Sequence, residues 1–110
     1  MDIFYLNNSI KRKLSNASAI KQSFGERAKK VAARLDEMQA SPNLKVLKQI
    51  PAANCHPLSG DKAGEWAVDV SPNFRMIFLL NHEPIPMDEF NSIDFSEVNS
   101  ICICRVEDYH

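Results

Sequence analysis

The feature that most restricts this chain is a change of hydrophobic period near its middle. Between residues 16 and 40, Ile20, Phe24, Ala28, Val31, Leu35 and Met38 recur at spacings of three and four. That spacing lines one face of an α-helix. From Gly64 onward the period falls to two. Trp66, Val68 and Val70 alternate with Ala67 and Asp69, as side chains of a strand do. The segment Phe74 to Leu80 is the most apolar strand and is expected to be central. Its one charge, Arg75, shares a face with Ile77 and Leu79, where an arginine needs a partner or a rim position. Helices first and antiparallel strands after make an α+β chain, with helices over one sheet face and the other face partly open.

Shorter segments fill in this plan. Residues 2–6 read as a strand, and residues 7–15, with Lys11, Arg12 and Lys13, as the beginning of the helical stretch. Gly25 costs about 1 kcal/mol relative to Ala inside a helix, so it is a candidate break between one helix ending near Phe24 and another starting near Glu26. Ser41 and Pro42 resemble a cap and first turn for a short helix carrying Leu44 and Leu47, stopped by Pro51. Residues 51–63 read as a polar loop. Ser71, Pro72 and Asn73 make a turn. Residues 81–98, with Pro84, Pro86 and five acidic side chains, read as a long excursion with at most one helical turn. Asn99 to Val106 is the last strand. At 110 residues the whole chain, 1–110, is expected to be one domain.

The formal net charge of −1 excludes a uniformly basic nucleic-acid coat protein, yet the charge is unevenly placed. Residues 1–50 carry a local charge of +6 and residues 51–110 a local charge of −7. Arg27, Lys30 and Arg34, at i, i+3 and i+7, form a basic stripe beside the apolar helix face. It is either a contact surface for RNA or an acidic partner, or a solvated flank whose stems cover the core edge. The N-terminus lacks a basic segment followed by an apolar one. No run approaches the roughly 20 apolar residues a membrane span needs. A cytoplasmic protein without a membrane partner is expected. The odd set Cys55, Cys102 and Cys104 is a poor disulfide framework and reads as small core residues; no metal-ligand spacing is evident, so neither metal nor cofactor is expected.

His56, Arg75, Asp108, Tyr109 and His110 are the groups able to do chemistry if the strands bring them together. Cleavage of an RNA phosphodiester needs a base for the 2′-hydroxyl, an acid for the leaving 5′-oxygen and a cation for the charge that grows on the phosphoryl group. Histidine suits the proton transfers because its ordinary pKa is near neutrality. Arginine suits the phosphate because its planar fork keeps its charge and spans two oxygens. Tyrosine can stack on a base or carry a proton.

Three segments together resemble the signature of HigB-type toxins of the RelE/ParE toxin–antitoxin superfamily, some of which have been labelled killer-suppression proteins. They are Cys55-His56-Pro57-Leu58-Ser59-Gly60-Asp61-Lys62-Ala63-Gly64 with Trp66 to Val70, Asn73-Phe74-Arg75-Met76-Ile77-Phe78, and the closing Val106-Glu107-Asp108-Tyr109-His110. Pro84-Ile85-Pro86 and Ile93-Asp94 resemble an insertion of one subgroup. The helical half fits too, so the resemblance spans essentially the whole chain. It implies a RelE/ParE-like toxin fold, with N-terminal helices on one face of a curved, mainly antiparallel sheet. It also implies a metal-independent endoribonuclease that cuts mRNA in the ribosomal decoding site. The implied partner is a small helix-turn-helix antitoxin, through which alone the complex would reach operator DNA.

By the same resemblance, His56 and His110 would move protons, with acid and base left open. Arg75 would hold the phosphate, Tyr109 would position the base or the nucleophile, and Asp108 would orient a neighbour. Ser59, Lys62, Arg27, Lys30 and Arg34 would face RNA. Two departures remove positive charge. Ser59 stands where many members have Lys, and Asp69 where many have Arg. Phosphate affinity would then come largely from the helical half folded against the site. The departures also leave room for a gyrase-poisoning or otherwise non-ribonucleolytic toxin, and for an inactive module that binds an antitoxin and co-represses its operon.

Overall fold

Asparagines start three of the helices. In the computed structural model, which describes residues 1–62 and 64–108, the side chains of Asn7, Asn16 and Asn43 accept hydrogen bonds from the backbone N–H of Ile10, Ala19 and Val46. Each satisfies one of the donors that a helix leaves open at its first turn. The helices are α1 (Asn8–Lys13), α2 (Ala17–Phe24), α3 (Ala28–Ala40) and α4 (Leu44–Leu47). Gly25 does break the periodic stretch. Its φ of +54° ends α2, and a 3-10 turn over Gly25–Arg27 leads into α3.

Ser41 does not cap α4. Its hydroxyl donates to the Glu37 carbonyl at 2.7 Å, and its N–H reaches the same oxygen at 3.0 Å. Ser41 therefore closes α3 and is buried, while Asn43, one residue before Leu44, takes the cap. The 51–63 segment is also more structured than a loop. It holds a 3-10 turn at Pro51–Ala53, the two-residue strand β2 (His56–Pro57) and a second 3-10 turn at Gly60–Lys62. Proline is tolerated in β2 because β2 is an edge strand.

With β1 (Asp2–Tyr5), β3 (Glu65–Ser71), β4 (Phe74–Leu80) and β5 (Ser100–Asp108), β2 completes a five-stranded sheet in the order β1-β5-β4-β3-β2. β4 is the middle strand, as its apolar composition predicts. β1 runs parallel to β5, and the remaining neighbours are antiparallel.

The helices cover one face. Trp66, Val68, Met76, Phe78, Ile101 and Ile103 point into that core, where they meet Val31, Leu35 and Met38 of α3. The excursion between β4 and β5 holds a single 3-10 turn, Phe95–Glu97. Phe95 meets Trp66 edge-on at 5.6 Å, and the Lys48 ammonium lies 4.1 Å from the Phe95 ring centre. Trp66 is thus a core anchor. On the opposite face the buried apolar cluster is small: Ala67, Ile77 and Cys104, with Leu58 and Leu79 beside them.

One irregularity decides what that second face carries. Ile77 pairs with Arg105, but Phe78 pairs with Ile103, so Cys104 is an extra residue in β5. The bulge inverts the alternation of the strand. Ile101 and Ile103 face the core, yet Arg105 and Glu107 are carried to the open face, and Val106 turns inward.

Candidate functional site

Asp69, Arg75 and Glu107 stand side by side on β3, β4 and β5, in one row across the open face. Arg75 meets Glu107 through Nε at 3.1 Å and through its terminal nitrogen at 3.0 Å, both on Oε1. The Lys62 ammonium, from the turn before β3, reaches the same oxygen at 3.4 Å. Arg105 Nε donates to the other oxygen at 3.1 Å, while its two terminal nitrogens grip Glu65 as a fork at 2.7 and 3.0 Å. Three cations and two carboxylates are joined in one network, with Glu107 at its centre.

The carboxyls respond to that company. Arg105, opposed by burial, holds Glu65 below its ordinary pKa. Burial pushes Glu107 up, but hydrogen bonds from Arg105 and Arg75, Arg105's charge and a hydrogen bond from Lys62 prevail, so the net shift is downward. The Arg105 guanidinium is raised, first by its hydrogen bond to Glu65.

His56 lies in the next row, in register with Ala67, which pairs with Ile77, which pairs with Arg105. Adjacent strands are about 4.8 Å apart, which puts its backbone roughly 10 Å from β4. Its ring is fixed from behind. Nδ1 lies 2.6 Å from the backbone carbonyl of Asn54. A carbonyl only accepts, so Nδ1 carries a proton and Nε2 is the ring nitrogen left to exchange one. Asn54 adopts a left-handed conformation with φ of 44°, and its side-chain amide donates to Asp69 Oδ2 at 2.9 Å. The second oxygen of Asp69 is buried and has no hydrogen-bond partner. A chain of contacts therefore runs from Asp69 through Asn54 to His56.

Of the residues singled out in the sequence, His56, Arg75 and Lys62 are brought to this face. Ser59 is exposed at the start of the same turn, where its carbonyl accepts from the Lys62 N–H at 3.4 Å. Asp108 is in register with Phe74 and alternates to the helix side, away from Glu107. Tyr109 and His110 lie outside the described residues. The helical half is not folded against this face, because α3 covers the other side of the sheet, so the basic stripe does not supply the phosphate affinity expected of it. The Arg27 guanidinium lies 3.8 Å above the Phe74 ring, at the end of β4 where Arg75 follows. Arg34 donates to the Asp69 carbonyl at 2.7 Å and pairs with Glu37, so its charge is engaged in binding α3 to β3. Lys30 is exposed on α3.

Asn54, Glu65, Arg105 and Glu107 are the members of the site that sequence reasoning passed over. A signal for two of them existed: strict alternation from Ile101 and Ile103 would have driven Arg105 into the core, and that conflict marks a bulge. Cys55 precedes His56 but is buried, and burial, against the attraction of Lys48, pushes its thiol up to about 12, so it stays protonated. Among the described residues no group of three or more His, Cys, Asp or Glu is arranged to hold a metal ion, and no helix is long and apolar enough to cross a membrane.

Compared by sequence, the chain matches no protein-family profile and no curated protein. Compared by structure, it is similar over its full length to the YoeB/ParE toxin from Agrobacterium tumefaciens, also matched in full, with a TM-score of 0.53 at 13% identity. YafQ from E. coli superposes with a TM-score of 0.56 at 15% identity, covering 97% of this chain and 91% of that one. A mutant of E. coli YafQ gives 0.57 at 16% identity over the same shares. The chain has the RelE/ParE-like toxin fold. The helix-covered face of the sheet holds the apolar core, and the open face, carrying His56, Arg75 and the Glu107 network, is the candidate site.

Proposed function

We propose that this chain is the toxin of a toxin–antitoxin pair, a HigB-like endoribonuclease that cuts mRNA on the ribosome without a metal. The observation that carries the reading is the pairing, on one open face of a toxin fold, of an imidazole held through Nδ1 by a backbone carbonyl and an arginine tied with two other cations to Glu107. His56 Nε2 takes the proton of the 2′-hydroxyl. The 2′-oxygen then attacks the adjacent phosphorus, and the bond from phosphorus to the 5′-oxygen breaks. Arg75, with Lys62 beside it, holds the non-bridging oxygens as their charge grows. His110 returns a proton to the leaving 5′-oxygen, and Tyr109 stacks on the base. A 2′,3′-cyclic phosphate and a 5′-hydroxyl remain. The antitoxin is a small helix-turn-helix protein, and operator DNA is reached only through it. The setting is the cytoplasm.

The test is cleavage of an mRNA during translation by purified wild-type protein and by the variants His56→Ala, Arg75→Ala and His110→Ala. Cleavage by the wild type and its loss in all three variants is expected. Cleavage undiminished in the variants would remove this site from the reaction.

One observation favours a second reading. Arg75 is flanked by two carboxylates, Asp69 and Glu107, as fits a module that has kept antitoxin binding and operon repression but lost catalysis. Arrest of growth on induction without antitoxin would dismiss it. Unimpeded growth of cells that accumulate folded protein would favour it over the nuclease.

A further inference from the structure

Lys62, Arg75 and Arg105 come from a turn, the middle strand and the last strand, and all three meet on one carboxylate. Glu107 takes Arg75 and Lys62 on one oxygen, within 3.4 Å, and Arg105 on the other at 3.1 Å. Its side chain is 21% exposed, and those of Lys62 and Arg105 are 39% and 38% exposed. The cluster is therefore shut by a group at its rim rather than sealed inside the protein. A carboxylate holding three cations from three elements matches the single charge and the two acceptor oxygens of an RNA phosphodiester. β4–β5 pairing sets Glu107 directly opposite Arg75, so its carboxylate stands where the anion bound by Arg75 would stand.

We infer that Glu107 is a resident anion in a phosphate site built by Lys62, Arg75 and Arg105, and that a backbone phosphate of single-stranded RNA binds by displacing it. Arg105 thereby becomes an RNA-binding residue that the nuclease signature does not include. The inference rests on the functional reading above for the identity of the ligand, and it adds how that site is regulated. Glu107 attenuates the affinity for RNA and keeps the cations ordered when no RNA is bound. Asp69, the other acidic neighbour of Arg75 in the row, is turned to Asn54 by its hydrogen bond and stays in place. Glu65 keeps its grip on the Arg105 fork, so Arg105 offers the phosphate its Nε edge, which Glu107 vacates.

The test is an NMR titration of the full chain at fixed salt with a 2′-O-methyl RNA hexamer, which has no 2′-hydroxyl to attack and is not cut. A parallel titration uses inorganic phosphate. In Glu107→Gln the hexamer is expected to bind about tenfold tighter than in the wild type, because an anion that competes with it is gone. The double variant Glu107→Gln with Arg105→Gln is expected to lose that gain. Hexamer affinity in Glu107→Gln equal to or below that of the wild type would overturn the inference. A gain for inorganic phosphate without one for the hexamer would overturn the assignment to RNA.

Should Glu107→Gln fail to fold, the wild type still decides. The Nε–H resonances of Arg75 and Arg105 are expected to move together as the hexamer is added, and their standing still would reject displacement. No ribosome and no cleavage enter this assay. Loss of the binding gain with mRNA cleavage intact would reject this inference alone. The gain without any mRNA cleavage would reject only the nuclease reading.

Discussion

The two faces of the sheet are built from the same strands by opposite means. On the helix side, Val68, Met76, Phe78, Ile101 and Ile103 have no exposed surface. Burial of such side chains stabilises a fold by roughly 1.5–3 kcal/mol each and needs no particular partner. On the open side, among the described residues, Ala67, Ile77 and Cys104 form the buried cluster, and named pairs add order: Glu65 with Arg105, Glu107 with Arg75, Asn54 with Asp69. Partly exposed ion pairs contribute little to stability, commonly below about 1 kcal/mol each. They do fix where charges stand. The covered face holds the fold, and the open face spends its side chains on geometry.

That division breaks first, if it is wrong, in stability measurements. Phe78→Ala removes a side chain with no exposed surface and is expected to cost about 3–5 kcal/mol by urea unfolding. Its neighbour Leu79, half-buried on the other face, is expected to cost about 1 kcal/mol on the same change. Equal costs would mean that the open face carries the fold as much as the covered one does. Arg75→Ala then sharpens the contrast from the other side. Glu107 keeps Lys62 and Arg105, so unfolding free energy is expected to move by no more than about 1 kcal/mol. On the proposed reading, cleavage during translation falls by a factor of about 10²–10³. A stability loss matching that of Phe78→Ala would make Arg75 structural.

What could be read from the sequence follows the same line. The helix break at Gly25, the strand faces of Trp66 and Ala67 and the central place of β4 depend on near neighbours and on period, so they are legible locally. β2 is not, because His56 and Pro57 become a strand only by pairing with Ala67 and Trp66 of β3. The cap on α4 went to Asn43 because the Ser41 hydroxyl was already bonded back to Glu37, a choice between two polar residues that periodicity does not settle. At the site, the need of Arg75 for a partner was legible, but the partner was not. Glu107 reaches the open face only because Cys104 bulges out of β5 and reverses the alternation after Ile103. Asp69, read from the sequence as the loss of a positive charge, is bound to the loop that leads into His56.

That last contact gives a smaller and finer test. Asn54 combines two jobs, a left-handed backbone and an amide bonded to Asp69, and substitution separates them. Asn54→Gly keeps the backbone conformation at no steric cost, so the carbonyl still holds His56 Nδ1. Cleavage within about threefold of wild type is expected, with the His56 ring nitrogens unchanged by NMR. Asn54→Ala strains the turn by about 1 kcal/mol and frees the ring. Roughly tenfold lower kcat at unchanged KM is expected, with loss of the Nδ1–H signature. If Asn54→Gly is as impaired as Asn54→Ala, the amide to Asp69, and not the backbone angle, orients the histidine.

The smallest effect separates the faces by pH. Glu65 and Glu107 both have folded pKa values below their ordinary ones, Glu65 chiefly through Arg105 and Glu107 through Arg105, Arg75 and Lys62 against the push of burial. A depressed carboxyl stabilises the folded state fully above its unfolded pKa, near 4.3, and that stability drains away as pH falls through the lower folded value. The melting temperature of the wild type is therefore expected to fall as the solution is taken from about pH 5 toward pH 3. Glu65→Gln and Glu107→Gln each remove one titrating carboxyl and are expected to flatten that fall by an amount worth less than about 1 kcal/mol, since both pairs are partly exposed. Phe78→Ala touches no charge and is expected to lower the whole curve in parallel. A Glu107→Gln curve parallel to that of the wild type would mean that the Glu107 carboxylate contributes nothing to folding and serves only to place the charges around it.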